Sequence, residues 1–190
     1  MDIIARLYNI NNLNDKADHV IVGGGIANTF LKAAGFEIGK SLFEDSMLEI
    51  ATEILSKEKI LLPSTVVVSQ TFEGEQVLIK RVEEVSSTEM ILDQRLTNEM
   101  KEVIRRSKLI LWNGPLGVFE NSLFCEGTRD LASKIALSKG FSIAGGGETL
   151  SAINTFINKD DVSYCSTGGG AFLEFMEGKK LPSIEALERK

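Results

Sequence analysis

The chain has 190 residues, of which 43% are hydrophobic and 25% charged, values typical of a soluble protein with one domain and a sizeable core. The formal net charge of −6 at pH 7 argues against nucleic acid and anionic membranes as partners. One histidine and two cysteines without metal-ligand spacing, Cys125 and Cys165, exclude His-based metal clusters and indicate two reduced, packed thiols.

The amino-terminal segment MDIIARLYNINN (1–12) lacks the long apolar core of a signal peptide. No uninterrupted apolar run in the sequence approaches the roughly 18 residues that a membrane-spanning helix needs. The sequence therefore predicts a soluble, cytoplasmic protein. His19, which begins the first apolar run, is interpreted as a strand-edge residue rather than a catalyst.

Short apolar runs that end in glycine-rich turns recur along the chain. They are HVIVGGG (19–25), KLILWNGPLG (108–117), FSIAGGG (141–147) and SYCSTGGG (163–170). Because the runs do not alternate apolar with polar residues, they are typical of strands buried on both faces in a parallel sheet covered by helices. The runs on either side of Pro63 predict two more strands, and residues 73–93 predict an additional antiparallel element.

Amphipathic helical patterns separate these strands. The residues predicted to face the core are Met47, Ile50, Ala51, Ile54 and Leu55; Met100, Val103 and Ile104; Leu131, Ala132 and Ile135; and Leu150, Ile153, Phe156 and Ile157. Ser41 and Glu44 have the spacing of a capping box, and Gly140 is a plausible helix C-cap. The alternation of strands and helices predicts a three-layer α/β/α, Rossmann-like domain with a mainly parallel sheet of about six strands.

The stretch AGFEIGKS (34–41) fits a relaxed phosphate-binding loop pattern, but its surroundings argue against that function. Such a loop leaves a strand and opens a helix, whereas here a helical segment precedes the stretch and Gly35 has the position of a helix C-cap. The dinucleotide fingerprint GxGxxG also fails, because GGGIAN, GGGETL and GGGAFL end in residues other than Gly or Ala.

The glycine turns themselves indicate an anion site. In a parallel sheet they would lie together at the carboxyl edge, where open α/β sheets bind ligands. Glycine lets backbone N–H groups approach an anion closely, and the helices that follow add their positive ends. One GGG alone favours a tight turn, whereas three triplets and NGPLG at one edge favour a phosphate-bearing ligand.

Four long segments resemble the nucleotide-binding C-terminal domain of phosphoglycerate kinase. They are VIVGGGIANTFLKAAGFEIGKSLFE, LWNGPLGVFE, AGGGET and STGGGAFLEFMEGKKLP, in the family's order from about Leu7 to Glu188. The resemblance implies a cytoplasmic glycolytic enzyme that transfers a phosphoryl group between 1,3-bisphosphoglycerate and MgADP, giving 3-phosphoglycerate and MgATP. It also implies that residues 1–190 are one domain and that the family's N-terminal, phosphoglycerate-binding domain is missing from this chain.

The resemblance assigns a role to each candidate site residue. The adenine is bordered by Gly23, Gly24, Gly25, Leu42 and Leu92, and its slot is shaped by Pro115, Gly117 and Val118. Glu120 holds the ribose hydroxyls. The phosphates are contacted by Asn113, Gly145, Gly146 and Gly147, beside Thr149, which caps the following helix; Glu148 holds Mg2+. The catalytic group comprises Arg6, which also contacts the nucleotide, with Gly146, Gly147, Gly169 and Gly170; residues 167–170 line the cleft toward the other substrate.

The chain also departs from the family pattern. Two phosphate-contacting lysines of the family correspond to Asp2 and Arg6, the usual magnesium-binding Asp is Glu148, and the Asp-x-Gly turn reads LDQRL (92–96), followed by a connection about two residues short. The family enzyme is also about twice this length. Two interpretations therefore remain: a nucleotide-binding half of the enzyme that is inactive alone, or a non-catalytic protein that binds nucleotide or a partner on the same fold.

Overall fold

The protein is described by a computed structural model at residues 17–74, 76–168, 171 and 179–188. The described strands are β1 (Val20–Ile21), β2 (Ile60–Leu61), β3 (Thr65–Ser69), β4 (Leu78–Arg81), β5 (Met90–Gln94), β6 (Leu109–Trp112), β7 (Phe141–Gly145) and β8 (Tyr164–Ser166). The described α-helices are α1 (Gly24–Ala33), α2 (Leu48–Leu55), α3 (Asn98–Arg106), α4 (Glu126–Ala136), α5 (Gly147–Phe156) and α6 (Pro182–Glu188).

The parallel strands form two ladders. β1 pairs with β2, with Val20 opposite Ile60, and β6, β7 and β8 form a second ladder with β7 in the centre. In this second ladder the chain runs from strand to helix to neighbouring strand, as β6–α4–β7–α5–β8. The described residues therefore contain five parallel strands in two ladders, rather than one continuous ladder of about six.

The remaining three strands form an antiparallel ladder with β3 between β4 and β5. Val66, Val67 and Val68 of β3 are almost completely buried and belong to two different core clusters, because neighbouring side chains of a strand point to opposite faces. The predicted antiparallel element at residues 73–93 is confirmed by β4 and β5. The predicted pair of strands on either side of Pro63 is likewise confirmed by β2 and β3.

Helices cover both faces of the β1–β2 ladder. Val22, just beyond β1, belongs to a cluster with Phe30 of α1 and Ile54 of α2. Ile21, whose side chain points the other way, packs against the core that α3, α4 and α5 form around Trp112. This arrangement buries the apolar run on two sides and confirms the three-layer α/β/α, Rossmann-like fold class.

Burial of the β6–β8 ladder is uneven. Ile110 and Trp112 of β6 face the core of α3, α4 and α5, whereas Leu109 and Phe141 lie opposite each other on the other face and are 63% and 54% exposed. The expectation of burial on both faces is therefore wrong at the amino ends of β6 and β7. The helices that pack on this ladder contact the face of Ile110, which leaves the alternate side chains uncovered there.

The phosphate-loop-like stretch at residues 34–41 has the helix-end geometry expected of it. The C-cap of α1 is Ala34, one residue before the predicted Gly35. Gly35 follows it with φ +90°, a conformation that glycine commonly adopts just beyond the end of a helix. The Ser41 hydroxyl accepts a hydrogen bond from the Ile91 N–H at 2.8 Å and donates to the Ile38 carbonyl. The capping box predicted for Ser41 and Glu44 is therefore wrong, because the serine connects this stretch to β5.

A second glycine has a packing role in place of the capping role predicted for it. Helix α4 ends at Ala136, four residues before Gly140, so Gly140 is not its C-cap. A Cβ at Gly140 would instead collide with the Ser107 carbonyl oxygen. Glycine is needed at this position because the backbone passes close to the end of α3.

Among the described residues, no helix combines the length and the apolarity needed to cross a bilayer. Cys125 is buried, Cys165 is half-buried, and both are free thiols, as the sequence predicts. Burial raises the pKa of the Cys165 thiol above its usual value, which lowers its thiolate content and its reactivity at neutral pH.

Candidate functional site

Three glycine turns lie together at the carboxyl ends of parallel strands. The first glycine loop (residues 23–25) follows β1, the slot loop (residues 113–118) follows β6, and the third glycine loop (residues 145–149) begins at the last residue of β7. The Gly24 N–H donates to the Leu116 carbonyl at 3.1 Å, and the Gly114 N–H donates to the Thr149 hydroxyl at 2.7 Å. The slot loop thus contacts both of the others, so the three turns lie together at the carboxyl ends of strands from the two parallel ladders.

The first glycine loop packs tightly against the slot loop. A Cβ on Gly23 would lie 2.8 Å from Leu116 Cδ2 and 2.9 Å from Leu116 Cα, closer than side-chain carbons approach in proteins. Gly23 is the N-cap of α1, and no side chain caps this helix. Glycine therefore brings the positive amino end of α1 into backbone contact with the slot loop.

Two side chains fix the near end of the slot loop. The Trp112 indole N–H donates to the Gly114 carbonyl at 2.9 Å, and the Leu116 N–H donates to the Thr128 hydroxyl in the first turn of α4 at 3.1 Å. Trp112 and Thr128 are both buried. Hydrogen bonds to buried side chains therefore hold the slot loop in place at Gly114 and Leu116.

The far end of the slot loop lies against β5. The Val118 N–H donates to the Leu92 carbonyl at 2.8 Å. A Cβ on Gly117 would lie 2.5 Å from Asp93 Oδ1 and 2.6 Å from the Leu92 carbonyl oxygen. Gly117 is thus required for the close approach of two backbone segments, independently of any ligand.

The third glycine loop is more open. Gly146 has φ +93°, a conformation that favours glycine, and a Cβ there would lie 3.3 Å from Asn113 Oδ1. A Cβ on Gly147 would have no neighbouring atom within 4 Å. The N-cap of α5 is Gly146, and the buried Thr149 hydroxyl accepts from Gly114, so the prediction that Thr149 caps this helix is wrong.

The third glycine loop has the chemistry of a magnesium–phosphate site. Glu148 is exposed in the first turn of α5, where the helix also presents backbone N–H groups and its positive end. The described residues contain no group of three or more His, Cys, Asp or Glu side chains that could hold a metal ion among themselves. Mg2+ commonly binds one or two carboxylates together with substrate phosphates and water. Glu148 fits that pattern.

The predicted purine-side residues differ in what they offer to a ligand. Leu42 is 63% exposed, and its carbonyl accepts from the Asn28 side chain of α1 at 3.0 Å. Glu120 is exposed, two residues beyond the slot loop. Leu92 is buried in a cluster with Phe124, against which Val118 of the slot loop also packs. Leu42 and Glu120 therefore present side chains to solvent, and Leu92 does not.

The structure brings most, but not all, of the predicted site residues together. Asn113 and Pro115 are half-buried in the slot loop. Three predicted catalytic residues, Arg6, Gly169 and Gly170, lie outside the described residues, as does Asp2. Thr167 is described and is exposed just beyond β8. The candidate site is therefore described at the three glycine loops but not at Arg6, Gly169 and Gly170.

Sequence reasoning missed Asp93 as part of the site. It is 1% exposed, and its Oδ2 accepts from the Gly127 N–H at 2.9 Å. Burial raises the pKa of Asp93 to about 6, against the opposing effects of the backbone N–H groups of Gly127 and Gln94 and of the nearby Arg95 charge. A polar signal was present in the sequence, since an aspartate follows the apolar run MIL in β5.

Comparisons with known proteins identify relatives of the whole chain. The family model for phosphoglycerate kinase matches residues 3–179. A phosphoglycerate kinase of Francisella tularensis subsp. novicida is 52% identical over 99% of this chain and 50% of the relative. The structure of phosphoglycerate kinase from Coxiella burnetii superimposes with a TM-score of 0.91 at 43% identity, covering 98% of this chain and 50% of that one.

A solved structure with lower sequence identity also matches nearly the whole chain. Phosphoglycerate kinase from Pyrococcus horikoshii OT3 is 30% identical and superimposes with a TM-score of 0.82, over 99% of this chain and 50% of the other. The chain thus spans about half the length of the curated relatives and solved structures that it matches.

Proposed function

The chain belongs to the phosphoglycerate kinase family, and we propose that residues 1–190 are the nucleotide-binding, C-terminal domain of such an enzyme. The observation that carries the proposal is the pair of hydrogen bonds that join the slot loop to both other glycine loops at the carboxyl ends of the parallel strands. In the family reaction a phosphoryl group moves between 1,3-bisphosphoglycerate and ADP, giving 3-phosphoglycerate and ATP in glycolysis. This domain would hold ADP or ATP with Mg2+ in the cytoplasm, with neither nucleic acid nor a membrane as a partner.

We assign the purine and ribose to the side of the first glycine loop and the slot loop. A flat base needs a narrow slot, and Gly23–Gly25 supply backbone without side chains. The exposed Leu42 adds apolar surface, and Pro115, Gly117 and Val118 form the facing wall, backed by Leu92. Glu120, whose carboxylate can accept two hydrogen bonds from a ribose diol, is exposed at the end of this wall.

We assign the phosphates to the third glycine loop. Gly145, Gly146 and Gly147 lead into the positive end of α5, Asn113 lies beside them, and Thr149 connects this loop to the slot loop. Bound Mg2+, held by Glu148, would neutralise charge on the phosphates. The residues of the chain orient the nucleotide, and in this proposal Arg6, Gly169 and Gly170 complete the catalytic group.

We further propose that the 190 residues do not catalyse phosphoryl transfer on their own. Phosphoryl transfer depends on positioning both substrates and on stabilising charge, and domain closure excludes water. The relatives are about twice as long, and we assign the phosphoglycerate site to the part of them that this chain does not span. Without a positioned second substrate, the reaction loses an advantage of up to roughly 7–11 kcal/mol.

Calorimetry with MgADP and a coupled assay with 3-phosphoglycerate and ATP test both parts of the proposal. We expect MgADP to bind, Glu120→Ala to weaken binding, and no turnover. Glu53→Ala, which removes an exposed glutamate from α2, is the matched control and should bind like the unmodified chain.

Turnover that co-purifies with the chain and is lost in Glu120→Ala would contradict the claim of inactivity. A failure to bind nucleotide at millimolar MgADP would contradict the nucleotide-site proposal, and would favour a non-catalytic, partner-binding protein on the same fold.

A further inference from the structure

Asp93 lies between two glycines that belong to different parts of the molecule. Its Oδ1 would be 2.5 Å from a Cβ on Gly117 in the slot loop and 2.5 Å from a Cβ on Gly127 in the first turn of α4. A side chain at either position would displace the carboxylate. The carboxylate therefore fills the space where the slot loop, β5 and α4 meet.

The same junction is held by hydrogen bonds. Asp93 Oδ2 accepts from the Gly127 N–H at 2.9 Å, which places a negative charge at the positive amino end of α4. The next residue of that helix, Thr128, accepts from Leu116 of the slot loop at 3.1 Å. Displacement of the first turn of α4 would thus disturb both Asp93 and Thr128, the two side chains that hold the slot loop.

The carboxylate is incompletely satisfied for a buried group. Oδ1 is buried without a hydrogen-bond partner, whereas Oδ2 is 3.2 Å from the Arg95 guanidinium. The charged groups that act on it are Arg95 from the end of β5 and Glu126 from α4, which have opposite signs. A buried charge with one unpaired oxygen lowers the stability of a fold, so its presence here calls for an explanation other than stability.

We propose that Asp93 is a positioning residue for the nucleotide slot, whose ionised carboxylate fixes the slot loop against the first turn of α4, so that loss of the charge loosens the loop and weakens nucleotide binding. The part that concerns binding rests on the proposed function, whereas the part that concerns the loop does not. Burial raises the pKa of Asp93 to about 6, so its charge can be removed by mild acid without a substitution.

Trp112 reports on the slot loop directly. It is the only tryptophan of the chain, it is 4% exposed, and its indole N–H donates to the Gly114 carbonyl within the loop. We expect the tryptophan fluorescence of the unmodified chain to change with a midpoint near pH 6, while far-UV circular dichroism stays constant. His19→Asn, which removes the only histidine of the chain, is a control and should retain the transition.

Asp93→Asn separates charge from shape, because the amide keeps an oxygen that can accept from Gly127. We expect this variant to lack the fluorescence transition and to bind MgADP about tenfold more weakly than the unmodified chain at pH 7.5. The matched control is Asp130→Asn, which removes a partly exposed aspartate of α4 paired with Lys101 at 2.9 Å. Asp130→Asn should change neither the fluorescence transition nor the MgADP affinity. Protonation of ADP itself does not affect the comparison, because all variants are compared at the same pH.

The outcomes distinguish the two proposals. A fluorescence transition near pH 6 that disappears in Asp93→Asn, with no MgADP binding by any variant, would support the claim that Asp93 positions the slot loop. The same result would overturn the proposed nucleotide function. MgADP binding with no transition in the unmodified chain, or with equal affinity in Asp93→Asn, would overturn the positioning role and leave the nucleotide function standing. Because the titration uses the unmodified chain, the test survives even if Asp93→Asn does not fold.

Discussion

The slot loop and the third glycine loop contain the same kind of residue for different physical reasons. In the slot loop, a Cβ on Gly117 would collide with backbone and carboxylate atoms at 2.5–2.7 Å, so the glycine is needed for packing. In the third glycine loop, a Cβ on Gly147 would meet nothing within 4 Å. An open glycine beside an exposed carboxylate and a helix amino end is suited to a ligand, whereas a crowded glycine shapes the wall beside it.

The largest expected effect is a pH dependence of the free energy of unfolding that arises beside the slot loop. The pKa of Asp93, beside the slot loop, is raised from 3.8 to about 6, because the cost of desolvating the charge is larger than the gain from the contacts with Gly127 and Arg95 that favour it. Protonation therefore raises the stability of the whole fold, although it weakens the local contacts that hold the slot loop. The stability that this protonation contributes is fully present below about pH 3.8 and is lost as the pH rises through about 6. The difference between the two pKa values corresponds to a change of about 3 kcal/mol in the free energy of unfolding.

Denaturant unfolding of the unmodified chain and Asp93→Asn between pH 4 and pH 7.5 measures this effect. The free energy of unfolding of the unmodified chain should fall relative to that of the variant as the pH rises. A constant difference across this range would show that Asp93 does not titrate there.

The next effect comes from crowding in the slot loop. Gly117→Ala should lower the free energy of unfolding by about 1–3 kcal/mol, because the neighbouring backbone of β5 must move to admit a methyl group. Thermal and urea unfolding measure the loss, and Trp112 fluorescence should show that the loop has changed. Full stability in Gly117→Ala would mean that the slot loop is less constrained than its contacts indicate.

A smaller effect is expected at Glu148, the proposed magnesium ligand in the third glycine loop. Glu148→Ala should leave the free energy of unfolding within about 0.5 kcal/mol, as is usual for exposed positions. Mg2+ raises the affinity for ADP, and Glu148→Ala should make this increase about tenfold smaller, which corresponds to roughly 1.4 kcal/mol of binding free energy. Calorimetry with ADP in the presence of Mg2+ or of a chelator measures that gain, and Glu148→Asp, the family's usual residue, should retain it. An equal Mg2+ dependence in Glu148→Ala would refute this metal assignment.

The smallest effect on stability is expected at Gly147. Gly147→Ala adds a methyl group in the first turn of α5, at a position with no neighbouring atom within 4 Å. The free energy of unfolding should therefore change by less than about 1 kcal/mol. Differential scanning calorimetry tests this beside Gly117→Ala. Equal losses in the two variants would remove the distinction between crowded and open glycines.

The sequence predicted what local periodicity controls. The non-alternating run before Gly23 indicated a strand buried on both faces, and β1 meets different helices on its two sides. The common edge of the glycine turns followed from the parallel direction of the strands. These features depend on the spacing of apolar residues along short segments, which a single sequence displays.

Contacts between distant segments were not predictable in this way. The Asp93–Gly127 hydrogen bond joins residues 34 positions apart, and Thr149 binds Gly114 across 35 positions, in place of the local helix cap predicted for it. Ser41 has capping-box spacing, yet its hydroxyl binds Ile91, 50 positions away. In each case tertiary packing supplies a distant partner that sequence spacing does not reveal, either beside a local partner or in place of one.

Amide hydrogen exchange with and without MgADP tests most directly whether the three glycine loops form one nucleotide site. We predict that MgADP slows exchange in residues 23–26, 113–120 and 145–149 together, since the ligand would shield their N–H groups. Residues 65–69 and 78–81, in β3 and β4, should be unaffected. Protection that is absent at saturating MgADP, or that is confined to a single loop, would contradict a shared site.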